Sequence, residues 1–161
     1  MHEWVGFVGE KRMKLSTRSR YALRVLVELA RRYGMGLVPL GELTRAQNLS
    51  LVYVENILRK LAQAGIVELR RGPNGGARFV SDPASVTVWE VLHQVEDFEL
   101  VPCEDHPEGS PRCPRYGDCS ARCFWAGLGK TVRAYLASKT IADVAREVNK
   151  AGSSWLFSDN I

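Results

Sequence analysis

The 161-residue chain is 45% hydrophobic and 25% charged, a composition that fits a folded globular protein and excludes an intrinsically disordered one. No apolar run approaches the ~20 residues that span a bilayer, and Met1-His2-Glu3-Trp4-Val5-Gly6 lacks the basic start and apolar core of a secretory signal, so the expectation is a cytosolic, cytoplasmic protein with no membrane partner. The net charge of +4 is unevenly divided: residues 13–80 hold 12 Lys/Arg against 4 Asp/Glu, and residues 81–161 hold 8 against 12, an asymmetry that fits a first half meeting a polyanion and equally a solvated basic face.

Residues 1–12 carry no clear pattern and read as a disordered extension or a misassigned start, because Met13-Lys14-Leu15-Ser16 looks like a natural beginning. The spacing of Ala22, Val25, Leu26, Leu29 and Tyr33 predicts a first helix over Thr17–Tyr33, stopped by Gly34 and Gly36. A short second helix is expected from Pro39 to Ala46, since proline suits a first turn. Ser50 reads as the N-cap of a third helix, Leu51–Ala64. Its inward stripe is Val54, Ile57, Leu58 and Leu61, and its outward face is polar and basic. Two short helices with a tight connection make a helix-turn-helix.

Ile66–Arg71 reads as a strand, Gly72-Pro73-Asn74-Gly75-Gly76 as a dense turn, and Ala77–Val80 as the returning strand. Such a hairpin after a helix-turn-helix is a wing, and its tip is expected to carry Arg70, Arg71, Asn74 and Arg78. Thr87 and Glu90 form a capping box for a helix through Val95. A long helix is predicted from about Ala121, with Trp125, Leu128, Val132, Tyr135 and Leu136 on one stripe, and a last short helix begins at Thr140. The expected organisation is therefore mainly α with a small β-hairpin. A winged helix-turn-helix domain spans 13–82, a connecting helix 83–101, a cysteine loop 102–123, dimerisation helices 121–150 and a tail 151–161.

The major groove of B-DNA admits one α-helix and shows a distinct donor and acceptor pattern for each base pair. The third helix offers Ser50, Tyr53, Glu55 and Asn56 for base edges, with Arg59 and Lys60 within reach of phosphates. The wing offers Arg71, Asn74 and Arg78 to the adjacent minor groove, whose negative potential favours arginine. The four cysteines, Cys103, Cys113, Cys119 and Cys123, all fall within 21 residues. In a reducing compartment such a cluster signals a metal or redox site rather than a disulfide scaffold. Thiolates suit iron–sulfur clusters and zinc alike. Zinc remains an alternative although no Cys-x-x-Cys pair is present, as does a metal-free thiol–disulfide switch. Cys123 also has a plain reading as a small buried apolar residue.

Residues 13–22 (MKLSTRSRYA), 50–55 (SLVYVE) and 71–76 (RGPNGG) resemble the family of bacterial winged-helix regulators that includes IscR, NsrR and CymR, and the cysteine cluster ahead of Trp125 extends the resemblance over about residues 13–147. The resemblance implies a homodimer joined by long C-terminal helices on a near-palindromic double-stranded DNA operator. It also implies that Ser50, Tyr53, Glu55 and Arg71 face DNA. Some members of the family have no cysteines and sense by other means; in those that resemble this chain, three cysteines hold an iron–sulfur cluster, [2Fe–2S] or [4Fe–4S], with five residues between the last two. Cys113 and Cys119 match that spacing. Cys103 would then be the first ligand, across a longer gap, and Cys123 is an addition to the pattern. The fourth ligand stays open among Cys123, Glu104, Asp105, His106 and a residue of the partner subunit. No phosphate loop, dinucleotide fingerprint or nucleophile–base set occurs, so no enzymatic activity is expected. The reading from another class is a zinc- or disulfide-stabilised winged-helix module that contacts protein.

Overall fold

The computed structural model describes residues 16–96 and 117–150. Cys103, Cys113, Glu104, Asp105 and His106 lie outside the described residues, as do the 1–12 extension and the 151–161 tail. Helix α1 (Thr17–Arg31) opens on Ser16, whose hydroxyl accepts from the Ser19 N–H at 3.2 Å. The expected helix ran on to Tyr33. The observed one stops at Arg31 because the N–H groups of Arg32 and Tyr33 bond three residues back, to Leu29 and Ala30, which tightens the last turn. Tyr33 consequently leaves the buried stripe and stands exposed.

Helix α2 (Leu40–Gln47) follows with Pro39 as its N-cap, not inside its first turn. The Pro39 carbonyl accepts from the Glu42 N–H at 3.0 Å. It ends at Asn48, in the left-handed region at φ 50°, where asparagine pays a smaller steric penalty than most residues. Helix α3 (Leu51–Gln63) is capped by Ser50, which accepts from the Tyr53 N–H at 3.3 Å. Strands β1 (Val67–Arg70) and β2 (Gly76–Phe79) pair antiparallel, with Val67 opposite Phe79 and Arg70 opposite Gly76. Val38, just before α2, bridges Ala77 through two 2.9 Å backbone bonds, so the wing is stitched to the entry of the helix-turn-helix.

The chain then passes a 3-10 turn (Pro83–Ser85) into α4 (Val88–Val95). The Thr87–Glu90 capping box is present as expected. Helix α5 (Arg122–Ser138) and helix α6 (Ile141–Lys150) complete the described chain. One apolar core joins Ala22, Val25, Leu26 and Leu29 of α1, Val54, Ile57, Leu58 and Leu61 of α3, and Val67 and Phe79 of the wing. Val88, Val91, Leu92 and Val95 of α4 and Ile141 of α6 belong to the same core. Each large apolar side chain buried there contributes roughly 1.5–3 kcal/mol. Val86 accepts from the Ile141 N–H at 2.9 Å and Lys139 from the Val88 N–H at 2.8 Å. These bonds fasten the start of α6 beside the start of α4. None of the described helices is long and apolar enough to cross a membrane.

Candidate nucleic-acid interface and cysteine centre

The polar side of α3 is exposed along Val52, Asn56, Arg59 and Gln63. Tyr53 turns back instead. Its ring meets that of Tyr21 edge-on, centroids 5.6 Å apart, and the Arg24 guanidinium lies 5.3 Å from the Tyr21 ring centre. Arg24 also donates to the Gln47 side chain at 3.0 Å and the Gln47 carbonyl at 2.9 Å. These contacts hold α1 against the end of α2 and the start of α3, which fixes the angle at which α3 projects. Nothing in the sequence around Arg24 marks it for this role.

Glu55 stands between two guanidinium groups: its carboxylate is 3.2 Å from Arg59 and 3.7 Å from Arg71 of the wing. Asn56 accepts from Arg59 at 3.3 Å. Lys60 donates to the Val95 carbonyl at the end of α4, at 2.8 Å, so one of its three donors is already engaged. On the wing, Glu68 accepts from Arg70 and from Arg78, each at 2.6 Å. The two guanidinium groups, Arg70 first, hold the Glu68 carboxyl below its ordinary range. The tip expected to carry Arg78 does not: Arg78 sits within β2, opposite Glu68. Register decides this, since a side chain on a two-residue repeat is fixed by its cross-strand partner. Asn74 is exposed in the turn. The side chain of Arg71 is 79% exposed, and it is the tip cation nearest α3.

Cys119 is half-buried in the turn before α5, and its carbonyl accepts from the Arg122 N–H at 3.2 Å. Cys123 is exposed in the first turn of α5, so it is not packed as a small apolar residue. No three His, Cys, Asp or Glu side chains converge on a metal position among the described residues. What the described part contributes is two free, solvent-accessible thiols on adjacent turns, four residues apart. Soft donors of that kind fit an iron–sulfur cluster or zinc and suit neither magnesium nor calcium.

Helix α5 buries only Gly129. Leu128, Val132 and Leu136 are half-buried, while Trp125 and Tyr135 are 43% and 61% exposed. The predicted stripe therefore exists but is not covered within one chain. The helix is fastened to α4 by Arg133, whose guanidinium carbon lies 4.7 Å from the centre of the Trp89 ring, against which His93 stacks on the same helix.

An exposed helix in a helix-turn-helix, flanked by an arginine-bearing wing, defines the DNA-binding class of winged-helix proteins. Residues 15–147 match the family model Rrf2, described as an iron-dependent transcriptional regulator. The chain belongs to that Rrf2 family. It is 34% identical over 137 residues to the HTH-type transcriptional regulator IscR of Cereibacter sphaeroides, covering 83% of this chain and 88% of that protein. It is 31% identical over 138 residues to the protein rrf2 of Nitratidesulfovibrio vulgaris, covering 85% and 90%. Among solved structures, CymR, the global cysteine regulator of B. subtilis, superposes with a TM-score of 0.68 at 28% identity, covering 84% of this chain and 98% of that one. IscR of T. potens has the same TM-score at 24% identity, covering 86% and 90%, a likeness of fold. The family model and the IscR and CymR relatives are named transcriptional regulators and not enzymes, in line with the expectation that the chain has no enzymatic activity.

Proposed function

We propose that this chain is a homodimeric, cytoplasmic transcription regulator. It binds a near-palindromic double-stranded DNA operator and reports on iron–sulfur status or redox and nitrosative stress through Cys103, Cys113, Cys119 and Cys123. The observation that carries the DNA reading is the outward strip of α3 beside Arg71. Ser50, Tyr53, Glu55 and Asn56 occupy the opening turns of α3, the part of a recognition helix that meets base edges. Arg59 and Lys60 follow toward the phosphates, and Arg71, Asn74 and Arg78 belong to the wing. The half-covered apolar stripe of α5 supports a second copy as its cover, since a 17-residue helix with one buried residue leaves more apolar surface in water than a monomer ordinarily tolerates.

Cys103, Cys113 and Cys119 would hold a [2Fe–2S] or [4Fe–4S] cluster, with Cys123 as the fourth ligand. When bound, such a cluster supplies an iron centre sensitive to oxidants and small ligands. The chain supplies the mechanical link. Val95 and Glu96 are the last described residues before the cysteine segment. Lys60 of α3 holds the Val95 carbonyl, and the Ser19 hydroxyl of α1, 1% exposed as a residue, donates to Glu96. A shift of the cysteine segment thus pulls on the recognition helix, and a coupling of about 1–3 kcal/mol is ordinary for such a link. A metal-free thiol switch is the second reading, favoured by the accessibility of Cys123, and zinc is the alternative metal.

The test is the visible absorption and metal content of protein purified without oxygen. A brown protein with iron and sulfide in similar amounts, lost in Cys113→Ala, supports the cluster. A colourless protein that stays so after attempted reconstitution moves the cysteines to zinc or to thiol chemistry and leaves the DNA reading standing.

A further inference from the structure

A second basic feature lies between α1 and α3. Arg18 of α1 faces Tyr53, Asn56, Ile57, Arg59, Lys60 and Gln63 across an open groove of about 360 Å³. Three of the seven lining residues are cations and none is a carboxylate. Arg18 is exposed, and no hydrogen bond or ion pair ties it to another side chain among the described residues. Every other arginine from Arg20 to Arg32 is engaged: Arg20 with Thr17, Arg24 with Gln47, Arg31 and Arg32 with Glu28. An unpaired cation at the mouth of a carboxylate-free groove is an anion seat awaiting its anion.

Its position relative to the wing says which anion. At 3.6 residues per turn, Glu55 and Lys60 lie about 140° apart around α3. Glu55 reaches toward Arg71 of the wing, and Lys60 borders the Arg18 groove. Lys60 and the wing contact therefore lie on different flanks of the same helix, and Arg59, which lines the groove and pairs with Glu55, stands between them. A helix seated in a major groove has a sugar–phosphate ridge along each side. The wing meets one ridge, and a groove lined by Arg18, Arg59 and Lys60 runs where the other must pass.

We infer that Arg18, with Arg59 and Lys60, forms a phosphodiester-backbone seat between α1 and α3, and that Arg18 positions the recognition helix on duplex DNA without reading sequence. This rests on the DNA-binding reading above, and the experiment separates the two. Binding of the full-length protein to a random-sequence 30-bp duplex is measured by fluorescence anisotropy between about 50 and 300 mM salt, for wild type, Arg18→Ala, Arg18→Lys and Arg146→Ala. Arg146 is exposed on α6, beyond the groove. Losing one phosphate contact lowers the slope of log K against log salt by about 0.9 per protomer, which at 0.1 M salt is roughly eightfold in affinity. Arg18→Ala is expected to show that loss on random and selected duplexes alike, Arg18→Lys to restore most of it, and Arg146→Ala to leave the slope unchanged. Circular dichroism confirms that the variants stay folded. A wild type with no salt-dependent duplex binding overturns the DNA reading together with this one. A wild type that binds, with Arg18→Ala unchanged in slope or no more affected than Arg146→Ala, overturns the phosphate seat alone.

Discussion

Replacing Gly76 by alanine should loosen the wing, by an amount the structure fixes. A Cβ built on Gly76 falls 2.3 Å from the Val38 carbonyl oxygen and 2.7 Å from its carbon. Contacts below 3.0 Å are essentially never seen for real Cβ atoms, so the two backbones must part by at least several tenths of an ångström. The same Val38 exchanges two 2.9 Å hydrogen bonds with Ala77. Stretching or breaking both costs about 1–3 kcal/mol, at about 0.5–1.5 kcal/mol each. Neither group is a flexible side-chain end, so the clash has no easy relief. Urea unfolding followed by circular dichroism should show a midpoint lower by roughly 0.5–2 M for an m value near 1.5 kcal/mol/M. Gly41 supplies the contrast. It lies inside α2 with nothing within 4 Å of a built Cβ, so Gly41→Ala should stabilise by about 0.5–1 kcal/mol through helix propensity. A Gly76→Ala protein as stable as wild type would refute the argument from close approach.

Arg71→Ala should weaken operator binding by about 1–3 kcal/mol if Arg71 reads a base or a narrow groove, and equal affinities in a gel-shift titration would contradict that role. Glu55→Ala should change which base is preferred, because a carboxylate accepts from cytosine; an operator-variant panel with unchanged ranking would remove Glu55 from the readout. For the proposed homodimer, Val132→Glu on α5 should shift sedimentation from dimer to monomer, and an unchanged mass would place any subunit interface elsewhere. Asp143 accepts from the Thr140 N–H and hydroxyl at 3.0 and 2.7 Å, and these bonds, with Arg146 adding to them, lower its carboxyl from 3.8 to about 2. A depressed folded value stabilises the fold above the unfolded value and is lost as pH falls through the folded one. Acid unfolding between pH 4 and 2 should therefore lose part of its pH dependence in Asp143→Asn, and an identical acid profile would speak against the cap.

The elements with local causes are legible in the sequence. The period of Ala22, Val25, Leu26 and Leu29, the serine caps and the Thr87–Glu90 box each depend on residues a turn apart. The Thr140–Asp143 box has the same local signal in shorter form, Thr-x-x-Asp, and passed unnoticed. What could not be read is held across the chain. The Val38–Ala77 bridge joins residues 39 apart with one residue on each side, and a single pair leaves no periodic trace. Ile141 joins the core of α1 and α3 although nothing around it marks that destination. The same division holds at the site. The outward positions of α3 follow from its buried stripe, whereas the bond from Lys60 to Val95, the pairing of Arg78 with Glu68 and the lack of a partner for Arg18 among the described residues depend on tertiary placement. Two of the four cysteines, Cys119 and Cys123, now have a position at the entrance of α5. The spacing showed only that all four were close in sequence.

The backbone bonds that fasten Ile141 to Val86 and Val88 to Lys139 bring the chain, after α5, back to the point where α4 began. The closure entropy of the intervening chain grows only with the logarithm of its length, about 0.6 kcal/mol per doubling. Length inserted between α4 and α5 therefore adds little to the closure cost borne by the winged-helix half. The winged-helix half thus keeps its shape while the length between α4 and α5 varies.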